Sequence, residues 1–155
     1  MKSGSIADLT VLPQLKIKEQ DKSAEIYFRV KPYDIDASGH VNNAVYLNWL
    51  EDLRIKLFSK MIRLEELMQD NIYLVVSSTN IKYKSPVFLY NRPNGKIILD
   101  KYYKGIWYLS AEFQVEEKVT TVAFQKCALL DGVNNRMIKD IIFSDEKNIY
   151  EVNKN

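Results

Sequence analysis

The chain has 155 residues, of which 46% are apolar and 27% charged, with a formal net charge of +2. This length suits one domain with its own core, and scattered basic residues argue against a nucleic-acid partner. The lone Cys127 precludes an internal disulfide framework and favours a reducing compartment. No apolar run approaches the roughly 20 residues that a membrane span needs, and no signal-peptide core is present. We therefore expect a cytoplasmic protein with no membrane partner.

The N-terminal part of the sequence predicts an arm followed by one domain. Residues 1–22 are polar and small at first, which predicts a partly ordered arm ahead of a single domain at 23–155. Residues 24–32 are typical of a first strand. Pro32 ends this strand, because proline cannot donate a hydrogen bond to the sheet.

The strongest periodic pattern predicts a helix over residues 43–62. At about 100° per residue, an apolar arc covers about half of the helical wheel. Glu51 falls near the centre of this arc and Arg54 falls within it, three residues away, so the two can pair. Asn42 or Asn43 can cap the helix start. One side of this helix is therefore expected to be deeply buried, with Glu51 held inside it.

After the helix the apolar period changes from 3.6 to 2, which predicts an antiparallel meander. The predicted strands span 72–84, 96–105, 107–116 and about 120–130, followed by a short apolar tail at 136–143. A sheet with one apolar face must bury that face, and the long helix is its natural partner. The fold class is therefore α+β, with a curved antiparallel sheet wrapped around one central helix.

The only histidine and two carboxylates lie together where the first strand meets the helix. Asp36 and His40 are four residues apart, close enough to share a site, and Gly39 lets a ligand approach the backbone. The free N–H groups of the helix start face the same place. A carboxylate base beside an oxyanion-stabilising helix end suits attack of water on a carbonyl. The structural alternatives are turn residues at Asp34 and Asp36 and a structural histidine at His40.

This junction closely resembles the hotdog-fold thioesterases, in the 4-hydroxybenzoyl-CoA thioesterase group and its acyl-CoA and acyl-carrier-protein (ACP) relatives. The resemblance rests on the motif Asp-x-Asp-x-x-Gly-His-Val-Asn-Asn at 34–43, on Glu51-x-x-Arg54, and on Ile-Lys-Tyr-Lys-Ser-Pro-Val at 81–87. It runs from about residue 24 to 143. It implies the hotdog fold and hydrolysis of an acyl-CoA or acyl-ACP thioester to free acid and thiol, with no metal or redox cofactor.

The resemblance also implies roles for single residues. Asp36 matches the catalytic carboxylate of the family, acting as general base on water or as nucleophile. His40 and Asn43 complete the implied catalytic set, although Asn43 stands where other members have Tyr or His. Ser38 stands where the plant-type catalytic set has Asn, and backbone N–H groups at 39–43 would polarise the carbonyl. The implied substrate-binding residues are Gly39, Val41, Asn42, Tyr46 and Glu51.

Family members pair two domains into a continuous sheet, often pair again as tetramers, and bind the acyl chain between subunits. The resemblance therefore implies a homo-oligomer, either a dimer or a dimer of dimers. Two other functions stay open at this point. One is a hotdog acyl dehydratase or hydratase, which pairs a His with a carboxylate at the β-carbon. The other is a non-catalytic acyl-thioester binding module.

Overall fold

The computed structural model describes residues 17–144, 146–147 and 149–153. Most of the predicted arm, residues 1–16, lies outside the described residues. The helices are α1 Val45–Ser59 and α2 Leu64–Gln69. The strands are β1 Ser23–Tyr27, β2 Ile72–Tyr83, β3 Asn94–Tyr103, β4 Ile106–Val115, β5 Lys118–Asp131, β6 Arg136–Ile138, β7 Ile141–Ser144 and β8 Ile149–Val152. Neither described helix has the length and apolar character needed to cross a membrane.

The main sheet is antiparallel, with the strand order β1-β3-β4-β5-β2. β1 and β2 form its two edges, and the short β6 pairs with the end of β5. β7 and β8 form a separate hairpin. The sheet curves around α1, whose buried side chains pack on the concave face. The structure thus confirms the predicted α+β class and the sheet wrapped around a central helix.

Two predicted elements are shorter in the structure than in the sequence pattern. The first strand ends at Tyr27, and Pro32–Asp34 forms a single 3-10 turn. The predicted helix 43–62 becomes Val45–Ser59. Met61 and Ile62 stay buried beyond the helix end, so apolar spacing alone overestimated its length.

Two other elements were missed. The polar stretch after the long helix contains the short helix α2, and β8 completes a hairpin with β7 beyond the predicted apolar tail. This hairpin is joined to the domain by a hydrogen bond from the Tyr150 N–H to the Met61 carbonyl, 2.7 Å long. Its buried side chains, Ile141 and Tyr150, belong to the main core.

Glu51 is not buried, contrary to the prediction from the helical wheel. Its side chain is 57% exposed, whereas that of Arg54, its ion-pair partner, is 7% exposed. The reason is that α1 packs on β1 and β3 through another side of the helix, where buried Trp49 stacks on Phe28, the residue after β1, with ring centroids 5.1 Å apart. The predicted apolar arc is therefore only partly covered by the described residues.

Candidate active site

The loop between Ile35 and Val41 is a tight antiparallel turn. These two residues form an isolated β-bridge, and the Asp36 N–H donates to the His40 carbonyl across it at 3.2 Å. Gly39 has a φ of +84°, a conformation that a side chain disfavours. A Cβ added there would meet no atom within 4 Å. Gly39 is therefore needed for the turn itself, not for close packing against the protein.

Ser38 holds the Asp36 carboxylate in its ionised form. The Ser38 N–H donates to Asp36 Oδ1 at 2.8 Å, and the Ser38 hydroxyl donates to the same oxygen. These bonds, and to a smaller extent the charge of His40, lower the pKa of Asp36 below its ordinary value of 3.8. No described residue donates a hydrogen bond to Oδ2. One carboxylate oxygen is therefore anchored and the other is available for chemistry.

Asp34, the other carboxylate of the motif, serves the fold. It is buried, and its Oδ2 accepts the Lys31 N–H at 2.8 Å, which caps the 3-10 turn. Its carbonyl accepts the Asn42 N–H at 2.8 Å. Asp34 therefore fixes the approach of the loop to α1.

Neither asparagine occupies the N-cap position of α1, which is taken by Ala44. Asn42 nevertheless satisfies the helix start from two residues ahead. Its Oδ1 accepts the Ala44 N–H at 2.9 Å, and its carbonyl accepts the Val45 N–H at 3.0 Å. The prediction that an asparagine caps the helix was thus wrong in position, because the chain closes one more turn before α1 begins.

Most of the N–H groups expected to polarise a substrate carbonyl are used within the protein. The Gly39 N–H donates to Asp36, the Val41 N–H to Val87, and the Asn42 N–H to Asp34. Among the described residues, the N–H groups of His40 and Asn43 have no protein acceptor. The structure thus narrows the candidate oxyanion donors of this loop from five groups to these two.

A pocket of about 240 Å³ opens between the start of α1 and the end of β2. It is lined by His40, Val41, Asn43, Tyr46, Tyr83, Lys84, Ser85 and Pro86. Asp36 lies on the loop beside this lining, whereas Glu51 lies farther along α1 and is not among the lining residues. Four of the predicted site residues, His40, Val41, Asn43 and Tyr46, are therefore brought together at this pocket.

Aromatic side chains shape this pocket. The ring of His40 meets Phe88 edge-on at 6.4 Å, and the ring of Tyr46 meets Tyr83 at 5.3 Å. Tyr46 is buried against Trp49 and Phe113, and burial raises its pKa. The Tyr83 hydroxyl donates to the Asn43 carbonyl at 3.0 Å. These contacts make the helix start rigid at the point where the two free N–H groups lie.

The contribution of β2 to the pocket was not among the predicted site residues. Tyr83, Lys84, Ser85 and Pro86 follow one another at the end of this strand. The Ser-Pro pair signals the strand end in the sequence, and period-2 alternation places Tyr83 on the same face as Ile81. Nothing in the sequence indicates that this strand end meets the start of α1, because that contact depends on the strand order of the sheet.

Comparison with known proteins agrees with this architecture. A family model described as the thioesterase-like superfamily matches residues 30–141. The long-chain acyl-CoA thioesterase FadM of Escherichia coli (strain K12) is 36% identical over 61 residues, which are 39% of this chain and 46% of that protein. The aligned part is thus less than half of that relative.

Solved structures share the fold over a larger part of the chain. A probable thioesterase from Bartonella henselae superposes with a TM-score of 0.70 at 19% identity, covering 76% of this chain and 98% of that one. The probable thioesterase YbaW from Escherichia coli has a TM-score of 0.64 at 25% identity, covering 75% and 87%.

The matched segment contains the Asp36–His40 turn, α1 and the strand end that closes the pocket, and stops where the β7–β8 hairpin begins. The resemblance drawn from the motif at 34–43 and the match to the family model therefore agree on the same residues. With its antiparallel sheet curved around one helix, this hotdog-fold chain belongs to the thioesterase-like superfamily.

Proposed function

We propose that this chain hydrolyses the thioester bond of an acyl-CoA or acyl-ACP. The observation that carries the proposal is the pairing of an ionised Asp36, anchored through one oxygen only, with free N–H groups of His40 and Asn43 at the adjacent pocket. Such a pair supplies both requirements of acyl transfer: a group that acts on water or on carbonyl carbon, and donors for the oxyanion.

In the proposed reaction the thioester oxygen accepts hydrogen bonds from the N–H groups of His40 and Asn43. Asp36 then acts in one of two ways. As general base, it takes a proton from water while the water oxygen bonds to the carbonyl carbon. As nucleophile, its free Oδ2 forms an acyl anhydride that water later cleaves. In both routes the carbon–sulfur bond breaks and the thiolate leaves, to be protonated to the thiol.

We assign His40 and Asn43 to the catalytic set through their backbone N–H groups, and we treat Tyr46 as part of the pocket wall. Gly39, Val41 and Asn42 support the site through their backbone bonds and do not donate to substrate. Lys84 at the pocket mouth gives the pantetheine phosphate or a CoA phosphate a cation to meet. The relative FadM is a long-chain acyl-CoA thioesterase, which favours a fatty acyl-CoA as the substrate.

The acyl chain extends, in our proposal, beyond the 240 Å³ pocket into space closed by a second copy of this chain. Ligand pockets for molecules of moderate size hold about 300–1,000 Å³, so this pocket is small for a long acyl group. Leu47 and Ile55 on α1 are each 49% exposed, and β2 is an edge strand of the described sheet. A homodimer, or a dimer of dimers, would bury them. The buried Cys127 is consistent with the cytoplasm as the proposed location.

The proposed function is tested by thiol release across short, long, β-keto and aromatic acyl thioesters of CoA and ACP. The variant Asp36→Asn should lose most of its activity, by about 10²–10⁴-fold, because general-base and nucleophilic roles both need the carboxylate. The matched control is Asp100→Asn, since Asp100 also accepts a serine hydroxyl, from Ser110 at 2.9 Å, but lies on the exposed face of the sheet.

Full activity of Asp36→Asn would contradict the assigned role of Asp36. Loss of water from a 3-hydroxyacyl thioester without thiol release would identify a dehydratase instead. Saturable binding without turnover would identify a binding module. In a single turnover in ¹⁸O-labelled water, label in Asp36 identifies the nucleophile route, because only attack of water on the Asp36 carboxyl carbon of the anhydride places it there.

A further inference from the structure

Tyr83 lies outside the motif at the helix start, yet it touches the backbone of that motif. It is the last residue of the edge strand β2, and its hydroxyl donates to the Asn43 carbonyl at 3.0 Å. The following residues anchor this strand end, because the N–H groups of Lys84 and Ser85 both donate to the Thr120 carbonyl. The Tyr83 ring also packs on buried Tyr46. Tyr83 therefore presents its hydroxyl from a fixed position.

The peptide group between Asn43 and Ala44 is held at both ends by side chains. Its carbonyl accepts the Tyr83 hydroxyl, and its N–H donates to Asn42 Oδ1 at 2.9 Å. The preceding peptide is also held, because the Asn42 carbonyl accepts the Val45 N–H at 3.0 Å. In a trans peptide the carbonyl and the N–H point in opposite directions. The Asn43 N–H therefore points away from α1, on the side where substrate would arrive.

These contacts give Tyr83 a role in the reaction that its position in the sequence does not suggest. We infer that Tyr83 and Asn42 together clamp the Asn43–Ala44 peptide, and that Tyr83 is thereby a positioning residue that keeps the Asn43 N–H aimed at the thioester oxygen. This inference rests on the proposed hydrolysis. A donor aligned before the reaction costs no reorganisation when charge develops on the oxygen.

The hydroxyl of Tyr83 stays protonated over the working pH range, since burial raises the pKa of Tyr83. It can therefore donate to the Asn43 carbonyl throughout that range. The ring of Tyr83 packs on Tyr46 whether or not the hydroxyl is present. Removal of the hydroxyl alone thus removes the hydrogen bond to the Asn43 carbonyl and leaves the packing on Tyr46 in place.

The test compares Tyr83→Phe with Tyr73→Phe. Both residues lie on β2 with similar exposure, 41% and 38%, but the Tyr73 hydroxyl donates to the Asn71 side chain, at 3.4 Å, and to no backbone carbonyl of the described residues. For Tyr83→Phe we expect kcat to fall about five- to tenfold, as loss of one neutral hydrogen bond predicts. Affinity for a thioether analogue of the substrate, S-alkyl-CoA, should not change, because it has no carbonyl oxygen to bind. Tyr73→Phe should have the same kcat as the unaltered chain.

A second comparison tests the clamp as a unit. Asn42→Ala removes the other end, so the double variant Asn42→Ala/Tyr83→Phe should lose less activity than the product of the two single losses. Hydrogen exchange of the Ala44 amide should accelerate in Tyr83→Phe, and this readout does not depend on turnover.

Three results would overturn the inference: an unchanged kcat for Tyr83→Phe, a loss of S-alkyl-CoA affinity that matches the loss of rate, or unchanged exchange of the Ala44 amide. The first two are distinct from failure of the proposed function, which would appear as absence of thiol release from the unaltered chain. In that case the Ala44 exchange still decides whether the clamp exists.

Discussion

The two flanks of α1 differ in how completely this chain covers them. The closed flank faces β1, where Lys56 and Lys60 donate to the carbonyls of Glu25 and Ser23 at 2.7 Å each. The open flank, formed by Leu47, Glu51 and Ile55, is exposed. Among the described residues, only the closed flank has a partner.

The open flank also differs from the closed flank in the polar side chains that are buried beside it. Arg54 is buried at its border and donates to Gln125 Oε1 at 2.9 Å, and Gln125 in turn donates to the Thr79 hydroxyl on β2. Val76 and Tyr83, on the same concave face of β2, are partly exposed. The comparison teaches that an apolar helical arc predicts burial but does not identify the surface that covers the arc. On the closed flank it is the sheet, and on the open flank we propose a second copy.

The largest effect is expected on the closed flank. Leu53 is fully buried, with its Cδ1 3.1 Å from where a Cβ on Gly95 would lie. Leu53→Ala should lower the free energy of unfolding by about 2–5 kcal/mol, because it leaves a cavity in a packed core. The half-exposed Ile55 provides the control: Ile55→Ala should cost less than about 1 kcal/mol in urea unfolding at low protein concentration. Equal losses would show that the two flanks do not differ.

The next effect concerns association and not folding. Leu47→Lys and Ile55→Lys should each weaken a dimer by about 1.5–3 kcal/mol, the value of burying one such side chain, while the isolated chain stays folded. Analytical ultracentrifugation over a range of concentrations measures this shift. Val133→Lys, in an exposed turn away from both flanks, is the control. A native chain that is monomeric at all concentrations would contradict the proposed partner for the open flank.

A smaller effect is expected at the border between the flanks. Glu51→Gln removes the carboxylate that balances the buried Arg54, and should cost about 1 kcal/mol because Glu51 itself is well solvated. Arg54→Met should cost more, since it leaves the buried Gln125 oxygen without its donor. Thermal unfolding of both variants gives the order. Greater destabilisation by Glu51→Gln than by Arg54→Met would show that the exposed carboxylate contributes more to stability than the buried guanidinium.

The smallest effect is a change in the pH dependence of activity at the junction. Ser38 lowers the pKa of Asp36, so the ionised, active form persists to a lower pH than an ordinary carboxylate allows. Ser38→Ala should move the acid limb of kcat/KM upwards, towards the ordinary pKa of 3.8. The stability that this depressed pKa contributes is present above the ordinary pKa and is lost as pH falls through the folded value. An unmoved acid limb would mean that another group controls it.

Much of the site could be predicted because its parts are local. The turn at residues 34–43, the carboxylate of Asp36 and the helix that follows lie within one short stretch, and local hydrogen bonds set their geometry. Which N–H groups of this loop form hydrogen bonds within the protein could not be predicted. Whether the Val41 N–H meets Val87 depends on a loop from another part of the chain. The contact of Tyr83 with Asn43 likewise requires the end of β2 to reach the start of α1.

The sequence by itself determined the fold class, the place of the candidate site at the junction and the identity of Asp36 and His40 as its titratable groups, because period and motif are properties of neighbouring residues. Only the tertiary structure decided which half of the apolar arc of α1 is buried, and so that Glu51 is exposed while Arg54 is not. The helical wheel gives the angles between side chains, but it does not show which side of the helix faces the sheet. That direction follows from the strand order, which places β1 on one flank and leaves β2, at the other edge, with no further strand among the described residues.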